Sequence, residues 1–142
     1  MNDDQTIIFR KIKDTIIAAY PQCHSIYLFG SWATEDETEL SDLDIAVLLP
    51  GHSNEIQYND KLALSGQLAM TARVEKADII DIRQVDTIFQ MQIIDTGRRV
   101  DIDDGNEANL FEMTILSRYQ KLNDERDEIL QEGIKQGRFY HV

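Results

Sequence analysis

Cysteine occurs once, at Cys23. That excludes an intramolecular disulfide and leaves a Cys-based zinc site short of ligands. Proline occurs twice, at Pro21 and Pro50, and each closes an element. Basic side chains are few: 14 Lys and Arg stand against 26 Asp and Glu, for a formal net charge of -12. Such a balance repels a polyanion, which argues against non-specific nucleic-acid binding. It suits a basic protein partner, or a site that holds divalent cations. No apolar run approaches the length of a membrane-spanning helix, and the opening "MNDDQTIIFRK" is acidic rather than signal-like. A soluble cytoplasmic chain is the expectation. Internal repeats and low-complexity segments are also lacking.

What is there is enough for one folded domain. The 142 residues are 42% apolar, which supports one real core but not comfortably two. A helix is predicted from about Asp4 to Tyr20, because Ile8, Ile12 and Ile16 recur every four residues. "SIYLFG" reads as a short strand and "DLDIAVLLP" as a second one, buried on both faces towards its end. Between them "WATEDETEL" is polar and loop-like. A helix follows over about Asn54 to Ala72, weakened by Gly66. "KADIIDIR" is a third strand, "DTIFQMQIIDTG" a short helix with Gly97 as its C-cap, and "RRVDID" a fourth strand. The chain closes in a long helix over about residues 106–134, with Phe111, Ile115, Tyr119 and Leu122 on one stripe. The order α-β-β-α-β-α-β-α is an α/β (α+β) arrangement of a small sheet flanked by helices, not a regular alternation of parallel units.

The chemistry concentrates between Gly30 and Asp44. In a strand, side chains two apart share a face, so Asp42 and Asp44 stand side by side with Cα atoms about 7 Å apart. Paired carboxylates repel, and each resists losing water. A bare D-x-D at a strand's surface end is common. A divalent cation makes the pairing favourable, since hard oxygen ligands are what Mg²⁺ prefers. Upstream, a strand that stops at Gly30 and Ser31 can turn sharply and offer backbone N–H groups and a hydroxyl to a phosphate. A phosphate cradle on one strand end and a metal pair on the next form a more specific unit than either half.

The unit G-S-x10-D-x-D, as Gly30, Ser31, Asp42 and Asp44, resembles the signature of the DNA polymerase β-like nucleotidyltransferases. The surrounding "YLFGS" and "SDLDIAVL" are similar to it as well. The resemblance implies a small mixed sheet flanked by helices, with a catalytic core over about residues 24–103. It also implies a third carboxylate on a later strand. "KADIIDI" offers Asp78, with Asp81 on the opposite face as competitor; periodicity does not separate them, and the resemblance favours Asp78. Size and helical tail resemble the minimal nucleotidyltransferases (MNT), commonly encoded beside HEPN-domain toxins.

From that resemblance follow expectations of two Mg²⁺ ions on Asp42, Asp44 and Asp78, a triphosphate at Gly30 and Ser31, and ATP as substrate. The expected activity is transfer of AMP to a tyrosine hydroxyl of a HEPN RNase toxin, an antitoxin function with release of pyrophosphate. Two alternatives share the fold: a binding antitoxin without chemistry, and an aminoglycoside-type enzyme acting on a small molecule. In one place the chain departs from the family. Where members often carry Arg-Ala-Arg-Gly after Gly-Ser, this sequence has "WATE". A basic phosphate contact is missing there, so neutralisation falls on metal ions and backbone amides.

Other residues carry less. His24, His52 and His141 are scattered and read as surface histidines. Cys23 lacks an evident base and reads as a buried or idle thiol. Trp32 is placed either to stack on a base or to cover the sheet edge. Beyond Leu122 the stripe of the last helix outruns a domain this small and could present a face to a partner.

Overall fold

The computed structural model describes residues 3–30, 42–51 and 58–136. Ser31, Trp32, the acidic run that follows, His52 and His141 lie outside the described residues, as does the predicted start of the second helix.

Four strands form one mixed sheet. They are β1 (Ser25–Phe29), β2 (Leu43–Leu48), β3 (Ala77–Asp81) and β4 (Arg98–Asp101). Their spatial order is β3-β2-β1-β4. β1 lies between antiparallel neighbours β2 and β4, while β2 and β3 run parallel. Parallel strands need a crossover, and α2 (Tyr58–Ala72) supplies it. The other helices are α1 (Asp3–Ala19), α3 (Thr87–Thr96) and α4 (Asn106–Gln136).

Period-two alternation sorts the core into two layers. Ile26, Leu28, Ile45, Val47 and Ile79 point to one face, where Ile12 and Ile16 of α1 and Leu64 and Leu68 of α2 cover them. Tyr27, Ala46 and Leu48 point to the other, beneath Ile93 of α3 and Ala108, Phe111 and Ile115 of α4. β2 is therefore covered on both sides, as its unbroken apolar run predicts. α2 runs through Gly66, which is exposed and has open space around it.

One predicted detail differs. "KADIIDIR" does not stay extended to its end: Asp81 accepts a hydrogen bond from Arg83 N–H (2.9 Å) and turns Ile82–Gln84 into a 3₁₀ turn. Gly97 ends α3 as its C-cap, as expected, with φ -80°. Its reason is proximity. A Cβ there would fall 2.5 Å from the Ile93 carbonyl oxygen.

α4 has 31 residues, about 46 Å of helix. Its first half packs on the sheet through buried Phe111 and Ile115, whereas Leu122 and Ile129 are 41% and 70% exposed. The helix outruns the domain, as the sequence suggests.

Candidate active site

β1 ends at Phe29, directly opposite Asp44 in the antiparallel register. The next residue, Gly30, has φ +79°, a conformation that costs glycine little and other residues more. Space imposes the same choice: a Cβ on Gly30 would lie 2.3 Å from Asp44 Oδ2. The Asp44 carboxylate thus rests against bare backbone at the start of the loop. Sequence alone presents Gly30 as a turn; the structure adds that Asp44 needs the room.

Asp44 and Asp78 are register partners on the parallel strands β2 and β3. Their Cα atoms are about one strand spacing apart, roughly 4.8 Å, with side chains on one face. Asp42 lies exposed just before β2. Asp81 pairs with Val47, deeper along the sheet, and caps the 3₁₀ turn. The structure therefore brings Asp78, not Asp81, beside Asp44.

Electrostatics set these carboxylates apart. Burial first, then the charges of Asp78 and Asp42, hold the Asp44 carboxyl above the usual range, and Lys76 opposes them only in part. Lys76 is held near because its carbonyl accepts the Leu43 N–H (3.0 Å). A second lysine arrives from α2. Lys61 Nζ lies 3.5 Å from Asp78 Oδ1, with both side chains partly exposed. Sequence reading missed Lys61, since nothing in its neighbourhood marks it. An aromatic pair stands at the same place: Phe29 meets Phe89 edge-to-face, with ring centroids 5.9 Å apart.

Among the described residues no three His, Cys, Asp or Glu side chains converge into a ready-made metal cage. The donor set still fits Mg²⁺, which takes one or two carboxylates together with water and substrate phosphates rather than an all-protein cage. Adjacent oxygen donors with surplus negative charge, next to a backbone cradle that a Cβ would fill, have that character.

The remaining candidates resolve differently. Cys23 is buried, its thiol pushed up to about 12 by that burial, and donates to the Ser25 carbonyl (3.3 Å). It is no nucleophile. His24 is not merely a surface residue: its Nδ1 is 2.6 Å from Asp103 Oδ2, and its carbonyl accepts from Ile102 and Asp103.

Three comparisons with known proteins bear on this site. The family described as "Polymerase beta, Nucleotidyltransferase" matches residues 10–106. The chain is 30% identical over 123 residues to the protein adenylyltransferase MntA of Shewanella oneidensis, covering 87% of this chain and 82% of that one. Among solved structures, a complex of a tri-AMPylated S. oneidensis HEPN toxin with its MNT antitoxin matches with a TM-score of 0.69. Identity there is 26%, over 92% of this chain and 98% of the other. A toxin–antitoxin complex with AMP-PNP matches with a TM-score of 0.69 and 28% identity, over 88% of this chain and 97% of the other.

Proposed function

Because the chain belongs to the polymerase beta nucleotidyltransferase family, we propose that it is a protein adenylyltransferase serving as the antitoxin of a HEPN toxin. The observation that carries this reading is the in-register pair Asp44 and Asp78 with Gly30 against Asp44. The relative named as a protein adenylyltransferase and the AMPylated toxin bound to its MNT antitoxin supply the reaction and the partner.

ATP is the donor, and a tyrosine hydroxyl of the toxin is the acceptor. Asp42, Asp44 and Asp78 would hold Mg²⁺, which supplies charge neutralisation on the triphosphate and acidifies the attacking hydroxyl. The backbone at Gly30 and the Ser31 hydroxyl would hold the triphosphate. Asp78 would accept the phenolic proton as the oxygen attacks the α-phosphorus in line. A new O–P bond forms, the bond to the β-phosphate oxygen breaks, and pyrophosphate leaves. The fold contributes position: two strands fix the carboxylates, and effective concentration does much of the rest. The strongly acidic surface suits a toxin with a basic face.

Intact-mass spectrometry of the partner toxin, mixed with this chain, ATP and Mg²⁺, tests the reading. AMP-sized mass increments are expected, and the Asp42→Asn, Asp44→Asn double variant should abolish them while remaining folded. Mass gain that survives in that variant contradicts the assignment of the aspartates. A stable complex without any mass gain would replace the enzyme with a binding antitoxin.

A further inference from the structure

The eleven residues after Gly30, from Ser31 to Ser41, include no Lys or Arg. A nucleoside triphosphate still brings several negative charges to a site already crowded with carboxylates. Positive charge enters from elsewhere in the fold. On α2, Leu64 and Leu68 are buried against the sheet. Lys61 stands one turn before Leu64, so the packing that fixes α2 also fixes where the lysine's stem begins. Its ammonium ends 3.5 Å from Asp78 Oδ1.

That contact is loose. The side chains are 35% and 50% exposed, and an ion pair of this kind adds about 1 kcal/mol or less. Lysine is a mobile point charge on a four-carbon stem, not a rigid fork. A divalent cation arriving at Asp78 competes for the same carboxylate and repels the ammonium. Asp44, its register partner, carries no counter-ion within the described residues that meets it so directly.

We infer that Lys61 is the triphosphate-binding cation of this chain, paired with Asp78 until nucleotide binds and passing to the nucleotide's phosphates when Asp78 takes up a divalent cation. The inference rests on the nucleotidyl-transfer reading and names a cation where residues 31–41 supply none. It places the phosphate-neutralising charge on α2, across the crossover from β2 to β3. The exchange also ties metal loading to nucleotide binding, since each frees or recruits the same side chain.

The exchange makes two demands of opposite sign, and binding rather than turnover reads both. Titration calorimetry would follow Mn²⁺ alone, and then α,β-methylene-ATP with Mg²⁺, on wild type, Lys61→Gln, Lys61→Arg and Asp44→Asn. Lys61→Gln should bind Mn²⁺ about two- to fivefold more tightly, because a competing charge is gone. It should bind the nucleotide about tenfold more weakly, because a charge-assisted phosphate contact is lost. Lys61→Arg should restore most of the nucleotide affinity. If Lys61→Gln leaves both affinities unchanged, or shifts both in one direction, the exchange is overturned while the enzyme reading stands. If wild type binds nucleotide no better than Asp44→Asn, the enzyme reading fails, and the exchange with it.

Discussion

Two glycines of the described chain adopt a left-handed conformation, and each does so against a strand aspartate. Gly30 meets Asp44 and Gly105 meets Asp101; an added Cβ would fall 2.3 Å and 2.5 Å from the respective carboxylate oxygens. The building block is the same, but the electrostatics are opposite. Asp101 is surrounded by donors. Arg99 reaches it with Nε at 2.7 Å and Nη2 at 3.1 Å, and Ser25 Oγ donates at 2.7 Å. The Arg99 hydrogen bond above all holds the Asp101 carboxyl below the usual range. The same guanidinium also binds Asn109 (2.8 Å), Glu112 and the Gly105 carbonyl (3.2 Å), so it joins β4 to the start of α4. Asp44 has carboxylates for neighbours instead, and its carboxyl is held high. A fold that neutralises one carboxylate so thoroughly and leaves the other short of donors treats the first as structure and the second as something to be completed by a ligand.

The largest stability effect should come from breaking the satisfied end. Arg99→Ala leaves Asp101, Glu112 and Asn109 without their shared donor and should cost about 2–3 kcal/mol in urea unfolding, allowing for partial exposure. Arg99→Lys should recover only part of it, since a single ammonium cannot reproduce the bidentate contact.

The paired glycines separate the two ends further. Gly30→Ala and Gly105→Ala should each cost about 1–2 kcal/mol, through the strained φ and the displaced carboxylate. Only Gly30→Ala should also lower AMP transfer, by about 100-fold, because the carboxylate it displaces is the one proposed to hold the metal. Equal activity loss in both variants, assayed on the partner toxin, would erase the distinction.

The smallest effect is in pH, where the two ends have opposite signs. Asp101, and Asp103, which the Gly105 N–H and His24 hold low, bind protons more weakly folded than unfolded. Their contribution is present above the unfolded aspartate range near pH 3.9 and is lost as pH falls through their lower folded values. Asp44 binds its proton more tightly folded than unfolded, so its charge weakens the fold above that range, and acidification relieves it. The stability gap between Asp44→Asn and wild type should therefore be widest at neutral pH and close towards pH 4. For Asp101→Asn the deficit should persist at neutral pH and shrink only below pH 4.

The two ends also differ in how far sequence reveals them. Gly30, Asp42 and Asp44 lie within one short stretch, at a spacing that few other purposes require, and the apolar run after them announces a buried strand. Asp78 is one of two possibilities until register puts it opposite Asp44. The Arg99 network has no such signature. Its members come from β1, β4 and α4, and only the same-face pair Arg99 and Asp101, two residues apart on a strand, hints at it. Lys61 is equally silent, because its meaning depends on how a crossover helix lies against an edge strand. The long helix is legible for a simpler reason: its apolar stripe runs on past Phe111 and Ile115 to Leu122 and Ile129, beyond what the sheet can cover.

On the proposed function, the charge crowding at Asp44 is completed by a metal-bound nucleotide. Thermal unfolding of wild type and Asp44→Asn, each with and without Mg²⁺ and α,β-methylene-ATP, tests it most directly. The variant alone should melt above wild type alone, since it is freed of like-charge repulsion and of the cost of burying a charge. Ligand should raise the wild-type midpoint and leave the variant's unchanged. A variant that melts below wild type, or that gains as much from the ligand, would contradict this role for Asp44.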